Sequence, residues 1–239
     1  MNAKDYKKKQ MSEATLVMAV LTVSGGLQDA YSYFVRGQVF ANGQTGNIVL
    51  MSAKLYDGDF AGAFRYLIPI TAFTAGVFVT EQIHSRYKHA SLLHWRQLIV
   101  AIEAVMLLFV SFLPVSQEYN MAANAVTSFV CAMQVQTFRK VNGCSYASTM
   151  CIGNIRSGME LLGAYVRTKE SRLLRQAGQY FFVILMFSLG AGLGAKAIRT
   201  VRRQDDTHFL RSSRYSLCPH AYKAGELTKY RNVLLYDVL

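Results

Sequence analysis

Residues 105–113 read VMLLFVSFL, an apolar run broken by a single hydroxyl at Ser111. A helix at the surface of a soluble protein carries polar residues at every third or fourth position, so that one face meets water. This run has no such stripe. It is the centre of a longer apolar segment, residues 98–115, and four comparable segments occupy 14–34, 62–82, 121–138 and 177–197. Each approaches the roughly 20 residues that a helix needs to cross the hydrocarbon core. The expected fold is all-α, a polytopic transmembrane helical bundle.

Composition agrees. Of 239 residues, 17% are charged and 52% hydrophobic, against about 25% and 45–50% in an average soluble domain. The mean hydropathy of +0.18 conceals a division. Charge collects at the N-terminus, between the apolar segments and after about residue 196. A net charge of +12 raises the question of nucleic acid, because a basic face is the footprint of phosphate binding. The distribution argues otherwise: Lys4, Lys7, Lys8 and Lys9 precede the first segment and Arg167, Lys169, Arg172 and Arg175 the last, as in loops that flank membrane helices. The expected partner is the lipid bilayer, with no nucleic acid.

The first segment continues through Gly25-Gly26-Leu27 with no small-x-small site before a polar mature domain, so it reads as a retained helix and not a cleaved signal. Three regions follow: a basic cytoplasmic N-terminus at 1–13, a membrane domain at 14–200, and a polar, partly disordered tail at 201–239. In the tail His208, Arg211, Arg214, His220 and Lys223 mix with Asp205, Asp206 and Glu226. That composition suits an extension lying on anionic lipid.

Two further stretches are only weakly hydrophobic: residues 38–55, QVFANGQTGNIVLMSAKL, and 146–165, YASTMCIGNIRSGMELLGAY. Each places a Gly-Asn pair and other polar groups at membrane depth, where unsatisfied ones cost several kcal/mol. Whether they span decides the topology, which the Lys and Arg of short loops can test. Seven spans put Arg86, Lys88 and Arg96 outside; five put the basic tail outside. Six, with only the second stretch spanning, keep both termini and the 86–96 loop in the cytoplasm and misplace only the 167–175 loop. Six is the expectation.

Shifting the sequence by 106 residues lays Gln28 on Gln134, Val35 on Val141, Gly37 on Gly143, Phe40 on Tyr146 and Ala41 on Ala147. After one inserted residue, Gly46-Asn47-Ile48 falls on Gly153-Asn154-Ile155. Transporters are often built from such repeats, with a solute site near the midplane. The candidate binding residues there are Gln28, Asp29, Asn42, Gln44, Thr45 and Asn47 from the first half, and Gln134, Gln136, Asn154 and Arg156 from the second. Ionisable groups within membrane segments mark function by default, which singles out Asp29, Arg156 and Glu103. The plainer alternatives are that Asp29 pairs with Arg36 or Arg156 or caps the next helix, and that Glu103 makes a helix-packing hydrogen bond.

Cys131, Cys144, Cys151 and Cys218 form no C-x-x-C pair and predict neither zinc nor a disulfide framework. His84, His89 and His94 are five apart, off the i, i+4 spacing of a helical metal site. Gly190, Gly192 and Gly194 close an apolar helix; without a preceding strand they are no nucleotide loop, and Gly190 and Gly194 make a smooth face for close packing. G-x-S-x-G, H-E-x-x-H and P-loop signatures are absent. An enzyme is not expected, nor a cofactor or metal.

At Gly26-Leu-Gln-Asp29-Ala-Tyr, Val39-Phe40 and Thr45-Gly46-Asn47 the chain resembles the YoaK-like family of bacterial inner-membrane proteins of unknown function. The similarity extends through Gln134 to Lys140 and from Gly153-Asn154 to about Lys196, and departs from the pattern at Cys151-Ile152, where a threonine like Thr45 is expected. The resemblance implies a multi-pass protein of the cytoplasmic membrane and supplies no substrate. The functional expectation is a transporter or permease for an unknown small solute. The alternative is a non-transporting scaffold or regulator whose tail binds lipid or a partner; a homo-oligomer is compatible with both.

Overall fold

The structure is a computed structural model and describes residues 15–87, 95–141 and 144–215. The N-terminal lysines, His89, His94, Cys218 and the tail beyond residue 215 lie outside the described residues. The chain divides into two compact units, residues 1–199 and 200–239, and the helical bundle is the first. Its elements are α1 Thr15–Val35, α2 Gln44–Tyr56, α3 Phe60–Tyr87, α4 Trp95–Phe112, α5 Gln117–Thr137, the paired two-residue strands β1 Lys140–Val141 and β2 Cys144–Ser145, α6 Cys151–Thr168 and α7 Ser171–Tyr215.

Among the described residues, three helices are long and apolar enough to cross a membrane by length and composition alone: α3, α4 and the Ser171–Thr200 part of α7. α1 and α5 carry more polar residues, but they turn them inward. Thr22, Gln28 and Ser32 of α1 and Asn124, Thr127, Ser128 and Gln134 of α5 are buried, where protein supplies partners that lipid cannot. The hydroxyls of Thr22, Thr80 and Thr127 donate to the carbonyl four residues earlier at 2.7–2.8 Å. Such back-bonding satisfies a hydroxyl inside a helix.

Contacts fix the direction of each helix. Asn124 meets Arg36, Cys131 meets Gln28 and Gln134 meets Leu21, so α5 runs antiparallel to α1. Gly76 lies on Phe129 and Ala132 while Glu81 meets Gln136, so α3 runs parallel to α5. Trp95 and Ile99 cluster with Met133, Ile102 and Phe129 pack against that cluster, and only residues 113–116 join the two helices, so α4 runs antiparallel to α5. Met18 packs with Val183, Gly190 lies on Val23, Gly194 on Leu27 and Ala30, and Arg199 sits 6.0 Å from the ring centroid of Phe34. α7 therefore runs parallel to α1. Gly158 on Tyr180 and Phe181 makes α6 antiparallel to α7, and α2 folds back along α3.

Two glycine contacts permit the α1–α7 approach. A β-carbon on Gly26 would strike the Phe187 carbonyl, and one on Gly190 the Val23 carbonyl. These obstacles are backbone and cannot rotate away. The Gly190–Gly194 face thus serves close helix packing, as small residues do in membranes.

Candidate functional site

The two weakly hydrophobic stretches each hold a buried asparagine that bonds the backbone seven residues earlier. After α1, Gly37 (φ 88°) and Gln38 (φ 59°) adopt left-handed backbone and reverse the chain, a conformation that glycine takes without steric cost. The following residues run back down α1. The Ala41 amide donates to Ser32 Oγ at 3.1 Å, the Asn42 amide to Asp29 Oδ1 at 2.7 Å, and Asn42 Nδ2 to the Gly25 carbonyl at 3.2 Å. From Val35 to Gly25 this is a descent of about 15 Å at 1.5 Å per residue. There α2 begins and turns back the way the chain came.

A fully buried asparagine closes the turn. Asn47 Oδ1 accepts the Phe40 amide at 3.0 Å and its Nδ2 donates to the Phe40 carbonyl at 2.7 Å and to Gln44 Oε1 at 3.0 Å. Gln44 Nε2 in turn donates to the Ala41 carbonyl at 2.8 Å. The Phe40 ring stacks on Tyr33 at 4.8 Å and lies against Gly43 and Gly46, whose missing side chains make room for it.

The second stretch has one feature in common with this, a buried asparagine. Asn154 Nδ2 donates to the Ala147 carbonyl at 2.7 Å and its Oδ1 accepts the Ala147 amide at 3.4 Å. Both asparagines thus clasp the residue seven positions earlier. Gln134 holds the turn to α1, donating to the Leu21 carbonyl at 2.9 Å and to Ser148 Oγ at 3.2 Å. The clasps pair Phe40 with Ala147, whereas the sequence alignment laid Phe40 on Tyr146.

The two helix starts meet at one glycine. Asn42 bonds the Gly25 carbonyl, and a β-carbon on Gly25 would run into the Thr149 methyl. Around this point Cys131 Sγ–H donates to Gln28 Oε1 at 2.6 Å, and Gln28 Nε2 to Ser24 Oγ at 3.0 Å. Asn42 Oδ1 and Thr149 Oγ1 are buried without a hydrogen-bond partner among the described residues, as is Glu103 Oε1. The N-cap residues Gly43 and Met150 provide no side-chain cap, so the positive ends of α2 and α6 converge with Asp29 as the carboxylate at hand.

Of the residues that the sequence nominates, Asp29, Gln28, Asn42, Gln44, Asn47, Gln134 and Asn154 belong to this assembly. Thr45 and Arg156 do not: both are exposed, and Arg156 pairs with Glu160 at 2.9 Å one helical turn away. Gln136 faces elsewhere, donating to Glu81 Oε2 at 2.8 Å. Asp29 makes no ion pair with Arg36 or Arg156: Arg156 pairs with Glu160, and Arg36 is taken up by Tyr31 and the Leu113 and Pro114 carbonyls. Glu103 Oε1 lacks the packing hydrogen bond anticipated for it.

Sequence reading missed the role of Arg36. It is 1% exposed and caps the end of α4, donating Nη2 to the Leu113 carbonyl at 2.8 Å, Nη1 to the Pro114 carbonyl at 2.6 Å and Nε to the Tyr31 hydroxyl at 2.6 Å. Its own carbonyl accepts Asn124 Nδ2 at 2.8 Å. Carbonyl acceptors leave no mark in a sequence; a lone arginine just past an apolar run, with no acid at helical spacing, was the one available signal.

A cavity of about 740 Å³ opens at the end of the bundle where α3 and α5 finish and α4 starts. Thr80, Glu81, His84, Trp95, Gln136 and Thr137 form its walls, and Ala147, Met150, Gly153 and Asn154, the start of α6, its inner surface. The His84 ring packs on Trp95 at 4.5 Å. The α6 side of the meeting point therefore faces a polar vestibule, while no residue of the α2 turn lines it.

Residues 17–205 match the family described as "Protein of unknown function (DUF1275)". The chain belongs to the DUF1275 family. It is also similar to the UPF0700 transmembrane protein YoaK of Bacillus subtilis (strain 168), with 21% identity over 188 residues, covering 76% of this chain and 82% of that protein. No solved structure matches. The DUF1275 match spans every element of the bundle from α1 onward, both clasps included. The chain is a transmembrane protein, and its bundle contacts the lipid bilayer.

Proposed function

We propose that this protein carries a small polar solute across the membrane through an inverted pair of half-helix repeats, α1–α2–α3 and α5–α6–α7. The observation that carries the reading is the pair of asparagine clasps just before α2 and α6, in segments whose Asn42 and Thr149 both reach Gly25. Interrupted helices whose N-termini meet at mid-membrane form solute sites in many transporters, because their unpaired amides and positive ends face the pathway. The partnerless oxygens of Asn42 and Thr149 support it, since a buried polar group left unpaired costs about 1–3 kcal/mol and persists where function requires it.

On this reading α2 and α6 enter and leave by the same face, so five helices cross: α1, α3, α4, α5 and α7. Six were expected from loop charge. Five puts the 86–96 and 167–175 loops on the vestibule side together with the start of α1, which favours a cytoplasmic vestibule. It puts the end of the α7 span, at Arg199, on the opposite face from the start of α1. The reading is of a non-enzymatic pathway, and Asp29, Asn47 and Asn154 remain its central residues.

Purified protein in liposomes tests it. Osmotic shrinkage with water, glycerol and urea, and uptake of labelled sugars and amino acids, should reveal a solute whose flux Asp29→Ala abolishes. Undiminished flux in a folded Asp29→Ala protein removes the site. Single cysteines at 58 and 170 should label from opposite faces of intact vesicles; labelling from one face refutes the inverted arrangement.

A further inference from the structure

The two turns share a buried asparagine but are tethered differently. Gln134, a neutral amide, holds the α6 turn. A carboxylate holds the α2 turn: Asp29 Oδ1 accepts the Asn42 amide at 2.7 Å, one turn of α1 above the Gly25 carbonyl that accepts Asn42 Nδ2. A tether to an ionised acceptor is roughly twice as strong as one to a neutral acceptor, and it weakens when the acceptor takes a proton. The Ala41 amide, next along the same segment, donates to the neutral Ser32 Oγ at 3.1 Å and lies within reach of the same carboxylate.

The groups that face Asp29 offer no fixed positive charge to keep it ionised. From α5 and α6 they are the thiols of Cys131 and Cys151, which lie within its electrostatic reach, and Glu103 of α4 acts on the same Cys131. On α1 itself, Arg36 is committed to Tyr31 and to the carbonyls of Leu113 and Pro114. Arg65 of α3 is held by the Gly37 carbonyl, and Lys54 of α2 by Asp59. α7 has no ionisable side chain between Tyr180 and Lys196. An ionisable group placed in a membrane bundle without a counter-charge is a proton-relay candidate.

We propose that Asp29 is a proton-operated latch on the first half-helix: ionised, it pins the 38–43 turn against α1 and closes the α2 side of the midplane; protonated, it lets the turn move away from α1. The vestibule reaches the start of α6 and no residue of the α2 turn lines it, which is the asymmetry a latch on one side leaves. The inference rests on the reading of α2 and α6 as the two halves of one pathway, and makes the proton its coupling ion.

Hydrogen exchange of the full chain in lipid nanodiscs tests the latch without a known solute. Exchange at residues 38–47, corrected for the chemical rate, should speed up about tenfold as the pH is lowered, while residues 147–154 stay flat. Asp29→Asn should exchange fast and without pH dependence. Ser32→Ala should exchange faster throughout and keep the slope. A flat profile in the unmodified protein overturns the latch, as does a slope retained in Asp29→Asn or an equal slope at residues 147–154. If Asp29→Asn fails to fold, the unmodified and Ser32→Ala profiles still decide. A pH-dependent latch in a protein that moves no solute refutes the transport reading alone; solute flux with a flat profile refutes the latch alone.

Discussion

Replacing Asn47 with alanine should be among the most damaging single changes in this chain. The side chain is fully buried and makes three hydrogen bonds, of 3.0, 2.7 and 3.0 Å, to Phe40 N, Phe40 O and Gln44 Oε1. Alanine strands the amide and carbonyl of Phe40, each at about 1–3 kcal/mol, for a loss of about 2–6 kcal/mol. At about 2–4 °C per kcal/mol for a chain of this size, the melting temperature should fall by on the order of 10 °C. Asn154→Ala removes one bond of 2.7 Å and a weak one of 3.4 Å. Its site borders the vestibule, where water can replace the lost partners, so the cost should be about 1–3 kcal/mol. Asn47→Asp keeps an acceptor for the Phe40 amide and places an anion at the positive end of α2; it should fall between wild type and alanine. Thermal unfolding in detergent, followed by circular dichroism, measures all three. If Asn47→Ala melts within about 1 kcal/mol of wild type, or Asn154→Ala is the more damaging, the clasps do not hold the turns as argued.

Gly26→Ala and Gly190→Ala should each lower folded yield by about 1–3 kcal/mol of stability, because the added methyl meets backbone. Gly178→Ala and Gly192→Ala, with nothing within 4 Å, should be neutral or up to about 1 kcal/mol stabilising, and equal losses at all four would show that the α1–α7 contact is not the reason. Arg36→Lys keeps the charge but loses the fork across the Leu113 and Pro114 carbonyls, so chemical unfolding should register a loss of about 1.5–3 kcal/mol. The Asp59 carboxyl sits below the usual range because it accepts the Gly62 amide and then the Lys54 ammonium. A depressed group stabilises above its unfolded value and ceases to as pH falls through its folded one, so the melting difference between wild type and Asp59→Ala should be full at neutral pH, begin to shrink near about pH 4 and be gone only at more acid pH, below the folded value.

Much of the helical framework was legible because burial in lipid demands long apolar runs. Residues 14–34 and 121–138 lie within a few residues of α1 and α5, and 98–115 overlaps α4. Half-helices leave a fainter trace. Residues 38–55 and 146–165 stood out for their polarity, yet each mixes a turn with a helix, the 13-residue α2 or the 18-residue α6, and no periodicity marks where a chain reverses. The candidate site was legible where a residue serves its own segment, as Asn47 and Asn154 do. It was not where partners lie far along the chain: Arg36 and Gln134 act through carbonyls 77 to 113 residues away, and Thr45 and Arg156 differ from their neighbours only in which face of a helix they occupy.

Those separations also set a timetable. The Arg36 guanidinium cannot be satisfied until residues 113 and 114 exist, its carbonyl waits for Asn124, and the Leu21 carbonyl for Gln134. At roughly 5–20 residues per second of synthesis, α1 and the turn behind it stand for several seconds without those partners. During that interval the arginine's Nε can already meet the Tyr31 hydroxyl, but its two Nη groups have only water or lipid headgroups, so the end of α1 should rest at the membrane surface and sink to its final depth only when α5 arrives.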